Sequence, residues 1–221
     1  MTPEKMADHW WWRPGWRPGR RMYTFHFTFD GQDAVQALTA RYRNRLAGLP
    51  NLVLVPDRWL HLTTQGLAFT DEILSSEVEA VTSAAADRVK ELPPVQAVVG
   101  PARVTPEALL LDVSPASDLA DVRAAIRDAI AAVRGRDKLG EGDEWTPHVS
   151  VAYSSGTGSA EPYIKALAVE DTATCVINSV ELIELNRDNR MYEWETVAQL
   201  PLAGFGSLIA KRRRDCPVSW G

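Results

Sequence analysis

The chain has 221 residues, of which 45% are hydrophobic and 24% are charged, and its formal net charge is −5 at pH 7. These values are typical of a soluble globular protein that is large enough for a sizeable core, built as one domain or as two intimately packed lobes. The sequence contains no run of about 18 apolar residues and no apolar stretch at its start, so we expect neither a membrane-spanning helix nor a secretory signal peptide. Its two scattered cysteines, Cys175 and Cys216, suit a reducing compartment, so we expect both to be unpaired and the protein to be cytoplasmic.

Charge is unevenly distributed along the chain. Residues 1–21 carry five basic and two acidic side chains, and residues 211–221 carry four basic side chains and one acidic one. The 15 basic and 26 acidic side chains between them leave the rest of the protein with a net charge of −11. A domain that grips long nucleic acid through its phosphates normally presents a basic face. The charge pattern therefore favours a nucleotide or a short RNA as the partner and disfavours a long duplex.

The first segment, residues 1–21, is an arm rich in Trp, Arg, Pro and Gly. It repeats Trp-Arg-Pro-Gly at residues 12–15 and 16–19, and the two Pro-Gly pairs forbid a continuous helix. Its tryptophans and arginines could stack on bases and clamp phosphate. Alternatively, the arm could fold back so that its indole rings cover an apolar edge of the domain. We favour packing, because four tryptophans left in water would form a costly apolar patch.

The spacing of apolar residues predicts an α+β domain over residues 22–203, followed by a basic tail over residues 204–221. The predicted order is β-α-β-β-α-β-β-α-β-α-β-β, which is consistent with two similar halves. Thr70 is expected to cap the second helix, with Asp71 and Glu72 in its first turn. The predicted strands cover residues 22–30, 51–55, 59–69, 95–104, 108–114, 148–153, 174–185 and 192–200, and the predicted helices cover residues 32–46, 71–91, 115–134 and 162–168.

Two of these strands carry the same short motif, a histidine followed two residues later by a hydroxyl side chain. His61 and Thr63 form the first copy, and His148 and Ser150 form the second, 87 residues further along. Residues two apart in a strand point to the same face. Each motif therefore presents an imidazole beside a hydroxyl, and two such strands facing each other would surround one small anion with two of each.

These four side chains suit acid–base chemistry on a phosphate. The ordinary pKa of histidine, about 6.5, lets it give or take a proton near neutral pH. A pair of imidazoles can act as general base and general acid on opposite sides of a phosphorus atom while hydroxyls hold the non-bridging oxygens. A third His-x-Thr begins at His26, on a strand whose other face is aromatic. We expect His26 to line the same cleft and contact substrate without transferring a proton.

The paired motifs resemble the two-histidine (2H) phosphoesterase superfamily, in particular its bacterial proteins labelled 2′-5′ RNA ligase or cyclic phosphodiesterase. The resemblance covers about residues 22–201 and is closest at residues 59–66, Trp-Leu-His-Leu-Thr-Thr-Gln-Gly, and residues 147–153, Pro-His-Val-Ser-Val-Ala-Tyr. It implies a duplicated two-lobed fold, with antiparallel sheets around a central cleft, helices outside, and one motif strand from each lobe. In the RNA ligase branch an arginine often follows the second motif. This chain has Tyr153 there, which we expect to contact substrate.

The leading interpretation is a phosphodiesterase that uses no metal and no cofactor and cleaves a 2′,3′-cyclic phosphate or a short oligonucleotide linkage. Its catalytic residues would be His61, Thr63, His148 and Ser150. The alternatives are a 2′-5′ RNA ligase that runs the same geometry in reverse and a non-catalytic nucleotide- or RNA-binding protein. A metal site through the two histidines is disfavoured, because neither has an acidic residue at ligand spacing and hydroxyls are poor zinc ligands. We expect a monomer that has no membrane partner.

Overall fold

The computed structural model describes residues 3–140, 142 and 144–203. Over these residues the chain alternates between strands and helices, as the sequence predicts. The strands are β1 (Lys5–Met6), β2 (Met22–Thr28), β3 (Leu52–Leu54), β4 (His61–Phe69), β5 (Val95–Val104), β6 (Ala108–Ser114), β7 (His148–Ser154), β8 (Gly158–Ser159), β9 (Ala173–Ile177), β10 (Ser179–Asn186) and β11 (Glu193–Pro201). The helices are α1 (Asp33–Leu46), α2 (Ser75–Val89), α3 (Ala116–Arg134) and α4 (Glu161–Ala166).

The strands form two main sheets, each with antiparallel neighbours. The four-stranded sheet has the order β11-β10-β2-β4, and the five-stranded sheet has the order β3-β7-β6-β5-β9. The motif strand β4 lies at the edge of the first sheet, whereas the motif strand β7 lies inside the second. Each sheet therefore supplies one motif, and the expected α+β class with antiparallel sheets is confirmed.

The helices pack on the sheets through apolar faces. In α3 the residues Leu119, Val122, Ile126 and Ile130, three or four positions apart, are all buried, as expected for the inner stripe of an amphipathic helix. This helix contacts β4 and packs beside α2, whereas α1 contacts β7 and β9 of the other sheet. Burial of this kind stabilises each helix by roughly 1.5–3 kcal/mol for every large apolar side chain.

Two predicted boundaries are wrong, each for a physical reason. The segment predicted as one strand over residues 174–185 is two strands, because β9 pairs with β5 in one sheet and β10 pairs with β2 in the other. The chain changes sheets at Asn178. The second helix begins at Ser75 instead of residue 71. At its start the Glu77 carboxylate accepts a hydrogen bond from the Leu74 N–H, so Thr70 does not cap it. Asp71 and Glu72 lie before the helix and form ion pairs with Arg20.

The N-terminal arm lies against the domain. Its strand β1 pairs with β8 to form a two-stranded ribbon that the sequence analysis does not predict. Trp10 is only 8% exposed, and Trp16 packs edge-on against Phe69 with ring centroids 5.1 Å apart. Trp11 and Trp12 are 47% and 45% exposed. The expectation that the arm packs on the domain is therefore confirmed, but it does not extend to burial of every indole ring, because Trp11 and Trp12 stay largely exposed.

Three other expectations concern the ends and the cysteines. Cys175 is buried and free, as expected. Cys216 and the basic tail at residues 204–221 lie outside the described residues. Among the helices of the described chain, none is long and apolar enough to cross a bilayer.

Candidate active site

The two motifs meet at one cavity. His61 is the first residue of β4 and His148 is the first residue of β7, so each imidazole lies at the junction between a loop and the start of a strand. Together with Thr63 and Ser150 they line a cavity of about 320 Å³. This volume is at the lower end of the range for small-molecule sites, roughly 300–1,000 Å³. The structure thus brings together all four residues that the sequence singles out for catalysis.

The two motif histidines are held in the same way. The Nδ1–H of His61 donates to the carbonyl of Trp59, and that of His148 donates to the carbonyl of Thr146, both at 2.8 Å. A carbonyl can only accept, so Nδ1 carries the proton in each neutral ring. Both imidazoles therefore keep Nε2 as the atom that can gain or lose a proton, which is the arrangement that an acid–base pair requires.

The surroundings of the two imidazoles differ. Burial lowers the pKa of His61 to about 4, against which its hydrogen bond to the backbone acts in the opposite direction. Burial also lowers the pKa of His148, where Arg103 lowers the pKa further and Asp112 raises it. His148 is only half-buried. Near neutral pH the free protein therefore holds His61 as the neutral imidazole.

The motif hydroxyls have buried polar neighbours. Thr63 Oγ1 lies 3.2 Å from Nε2 of His26, whose ring stacks on that of His61 with centroids 4.5 Å apart and planes 4° apart. Ser150 is a polar neighbour of the Tyr153 phenol, and burial raises the pKa of Tyr153 so that this phenol stays neutral. His26 and Tyr153 both line the cavity, as the sequence predicts, but they are only 1% and 4% exposed, so each offers little surface to a bound ligand.

The cavity has further wall residues that the sequence analysis misses. His9, from the N-terminal arm, is hydrogen-bonded to the Tyr192 hydroxyl at 2.9 Å and stacks on Tyr153 at 4.3 Å. Burial lowers the pKa of His9 to about 4. Glu107 lies on the same wall, 3.4 Å from Nδ1 of His9, and forms an ion pair with Arg13. His9 lies between Asp8 and Trp10 and belongs to no recognisable sequence motif. Only the packing of the arm on the domain shows that it lines the cavity.

The cavity offers proton-transfer groups and hydrogen-bond donors. Among the described residues, no group of three or more His, Cys, Asp or Glu side chains is placed so that it could hold a metal ion. Two Nε2 atoms and two hydroxyls facing one small space can bind an anion and move protons to and from it. The local chemistry therefore matches the requirements of phosphoester cleavage.

Comparison with known proteins places the chain in a family. The model of the 2′-5′ RNA ligase superfamily matches residues 28–189, which include both motifs. The structure is similar to TT0787 of Thermus thermophilus, with 15% identity and a TM-score of 0.64 over 84% of this chain and 99% of that one. It is also similar to E. coli LigT in apo form, with 12% identity and a TM-score of 0.62 over 83% of this chain and 98% of that one.

A third similar structure is the MHV ns2 PDE domain, with 13% identity and a TM-score of 0.54 over 77% of this chain and all of that one. No curated protein sequence matches this chain. The structural likenesses show that the fold is that of the 2H phosphoesterases. Since the family match covers most of the chain and both motifs, the protein belongs to the 2′-5′ RNA ligase superfamily.

Proposed function

We propose that this protein is a metal-independent phosphodiesterase that cleaves a 2′,3′-cyclic phosphate or a short oligonucleotide linkage. The observation that carries the proposal is the matched pair of imidazoles, each fixed through Nδ1 to a backbone carbonyl and each lining one cavity. Membership of a superfamily of phosphoesterases and ligases supports phosphoester chemistry in general. Both observations support an enzyme, and hydrolysis is the direction that we propose.

Each group has a distinct role in the proposed reaction. His61 Nε2 removes a proton from water, and the water oxygen forms a bond to phosphorus. The bond from phosphorus to the ribose oxygen breaks, and His148 Nε2–H donates its proton to that departing oxygen. Thr63 and Ser150 hydroxyls donate to the non-bridging oxygens, where negative charge develops. We assign the acid to His148 because it is the less buried of the two imidazoles, so that desolvation penalises its protonated form less.

The proposed substrate is a nucleotide or a short RNA end. LigT, which shares the fold, has been crystallised with 3′-AMP, with ATP, with NADP+ and with phosphate. The cavity of about 320 Å³ suits one nucleotide better than a long strand. The net charge of −11 between residues 22 and 210 also disfavours a long polyanion.

A 2′-5′ RNA ligase is the second candidate, because the matching family carries that description. In that reaction a ribose hydroxyl takes the place of water, and the same two histidines move the protons. A non-catalytic nucleotide-binding protein is the third, and it would bind the same ligands without turning them over.

A substrate panel tests these candidates. The protein is incubated with the four 2′,3′-cyclic nucleotides and with short 2′-5′ and 3′-5′ linked oligonucleotides, with and without excess chelator, and the phosphate position in each product is determined. We expect hydrolysis to a single monophosphate isomer that chelator does not change. Ligation without any hydrolysis, or turnover that chelator abolishes, would contradict the proposal. Tight binding without turnover would favour the non-catalytic alternative.

The proposed pair predicts an acidic optimum for kcat/KM. Activity should rise as pH increases through the pKa of His61, about 4, because the base must lose its proton. It should fall as pH increases through the pKa of His148, which lies below 6.5, because the acid must keep its proton. The profile of kcat should lie at higher pH, since a bound phosphate anion raises both pKa values. A profile of kcat/KM that is flat between pH 4 and pH 8 would rule out this pair.

A further inference from the structure

The hydroxyl of Thr63 has a buried neighbour that the proposed reaction does not use. His26 lies directly opposite Thr63 in the pairing of β2 with β4, and its Nε2 is 3.2 Å from Thr63 Oγ1. At 1% exposure, the His26 ring has almost no surface with which to touch a substrate. A role for this histidine must therefore pass through the groups that it contacts.

The hydrogen-bond partners of His26 decide which ring nitrogen carries the proton. Burial holds the pKa of His26 well below its ordinary value, so the ring is neutral and has one N–H. Its Nδ1 is buried and has no hydrogen-bond partner among the described residues. Among backbone groups, a buried N–H without an acceptor is rarer than a buried carbonyl without a donor, and we apply the same preference to this ring. The proton therefore belongs on Nε2, where Thr63 Oγ1 accepts it.

This assignment fixes the direction of the Thr63 hydroxyl. The oxygen of a threonine side chain accepts hydrogen bonds, and it has one hydrogen of its own to donate. When Oγ1 accepts from His26, that hydrogen stays available for the cavity that Thr63 lines. The opposite direction, with Thr63 donating to His26, would turn its hydrogen away from a bound anion.

The same ring also braces the first motif histidine. The rings of His26 and His61 stack in parallel, with centroids 4.5 Å apart. The ring of Trp194 lies roughly perpendicular to both, with its centroid 5.8 Å from that of His26 and 5.3 Å from that of His61. His26 and Trp194 therefore restrict rotation of the His61 ring. His26 thus contacts both members of the first motif.

We propose that His26 is a positioning residue that donates from Nε2 to Thr63 and so directs the Thr63 hydroxyl hydrogen at a phosphate oxygen of the substrate. The identity of the anion rests on the proposed function. This role replaces the expectation that His26 contacts substrate. It differs from the part played by His61 and His148, because His26 neither gains nor loses a proton during the reaction.

The first test is the ring tautomer, which needs no substrate. The chain has four histidines, so their ¹⁵N and ¹H NMR signals can be assigned by single substitutions. We expect His26 to be protonated on Nε2, in contrast to His61 and His148, which should be protonated on Nδ1 when neutral. Protonation of His26 on Nδ1 would overturn the proposal, whatever the protein catalyses.

The second test is a double-mutant cycle between His26 and Thr63. His26→Phe keeps a flat ring in the stack and removes Nε2–H. We expect it to lower kcat/KM about tenfold, the effect of losing one orienting hydrogen bond, and to have no further effect when Thr63→Ala is already present. His26→Gln, whose amide can donate in place of Nε2–H, should recover part of the loss. Independent, multiplicative losses in the cycle would overturn the proposal.

Phe27→Leu is the matched control. Phe27 is the next residue on β2, is buried on the opposite face and pairs with Leu62. We expect this change to lower the melting temperature and to act independently of Thr63→Ala. If the wild type proves inactive on the whole substrate panel, the proposed function fails, and the NMR tautomer still decides the role of His26.

Discussion

Replacement of either motif histidine by alanine is expected to lower kcat by about 10²–10⁴-fold on the best substrate, the usual contribution of a positioned acid or base. The reason is geometric, because His61 and His148 each keep Nε2 free by fixing Nδ1 to a carbonyl at 2.8 Å. The double variant should be little slower than the worse single one, since the two groups act in the same step. Steady-state kinetics on purified variants measure this.

His9 supplies the control for these substitutions. It is a histidine on the same cavity wall, but it belongs to the arm and has no part in the proposed proton transfers. We expect His9→Ala to retain kcat within a few-fold of the wild type. Near-full activity in His61→Ala or His148→Ala, with thermal unfolding unchanged, would show that the paired-histidine mechanism is wrong.

The second large effect concerns stability. Trp10→Ala should destabilise the protein by about 3–5 kcal/mol, the usual cost of deleting a buried aromatic ring. The indole of Trp10 is 8% exposed, contacts Tyr153 and Tyr192 edge-on or tilted at 5.2 and 5.5 Å, and lies 5.5 Å from the guanidinium of Arg187. For a chain of this length the loss should lower the melting temperature by roughly 6–20 °C. Calorimetry measures the shift.

Trp12→Ala is the comparison for this change, because it removes the same side chain two residues away, where it is 45% exposed. We expect its melting temperature to stay within about 2 °C of the wild type. A shift for Trp10→Ala as small as the one expected for Trp12→Ala would mean that the arm is not packed in solution. In that case the arm would be free to capture RNA by stacking, and its loss would reduce affinity for oligonucleotides alone.

Local sequence patterns predict much of this fold. The bounds of β5 and β6 agree with the alternation of apolar residues, since Pro94 precedes one strand and a turn at Pro106 separates the two. The ribbon of β1 and β8 is not predictable in this way, because two residues per strand are too few to show a period of two. The break at Asn178 escapes the pattern because each sheet continues the apolar run, and only the pairing partners reveal the change of sheet.

The candidate site also has a part that local sequence predicts and a part that depends on distant contacts. The pairing of His61 with Thr63 and of His148 with Ser150 is local, so the sequence predicts it, and the structure places all four on one cavity. The support behind them is non-local. His26 lies 37 residues before Thr63 and contacts it across the pairing of β2 with β4. The pattern within one strand does not indicate which ring nitrogen of His26 faces Thr63.

The arm also has a consequence for the order in which the chain folds. Lys5 of β1 pairs with Ser159 of β8, about 150 residues away, and Arg20 at the other end of the arm pairs with Asp71. Contacts between such distant segments carry the largest loop-closure entropy cost and form only after their partners are in place. Since β8 follows β7 in the chain, and Asp71 follows β4, we expect the arm to dock after both sheets have formed. Refolding should therefore end with the burial of Trp10, visible as a late fluorescence phase that Trp10→Phe removes.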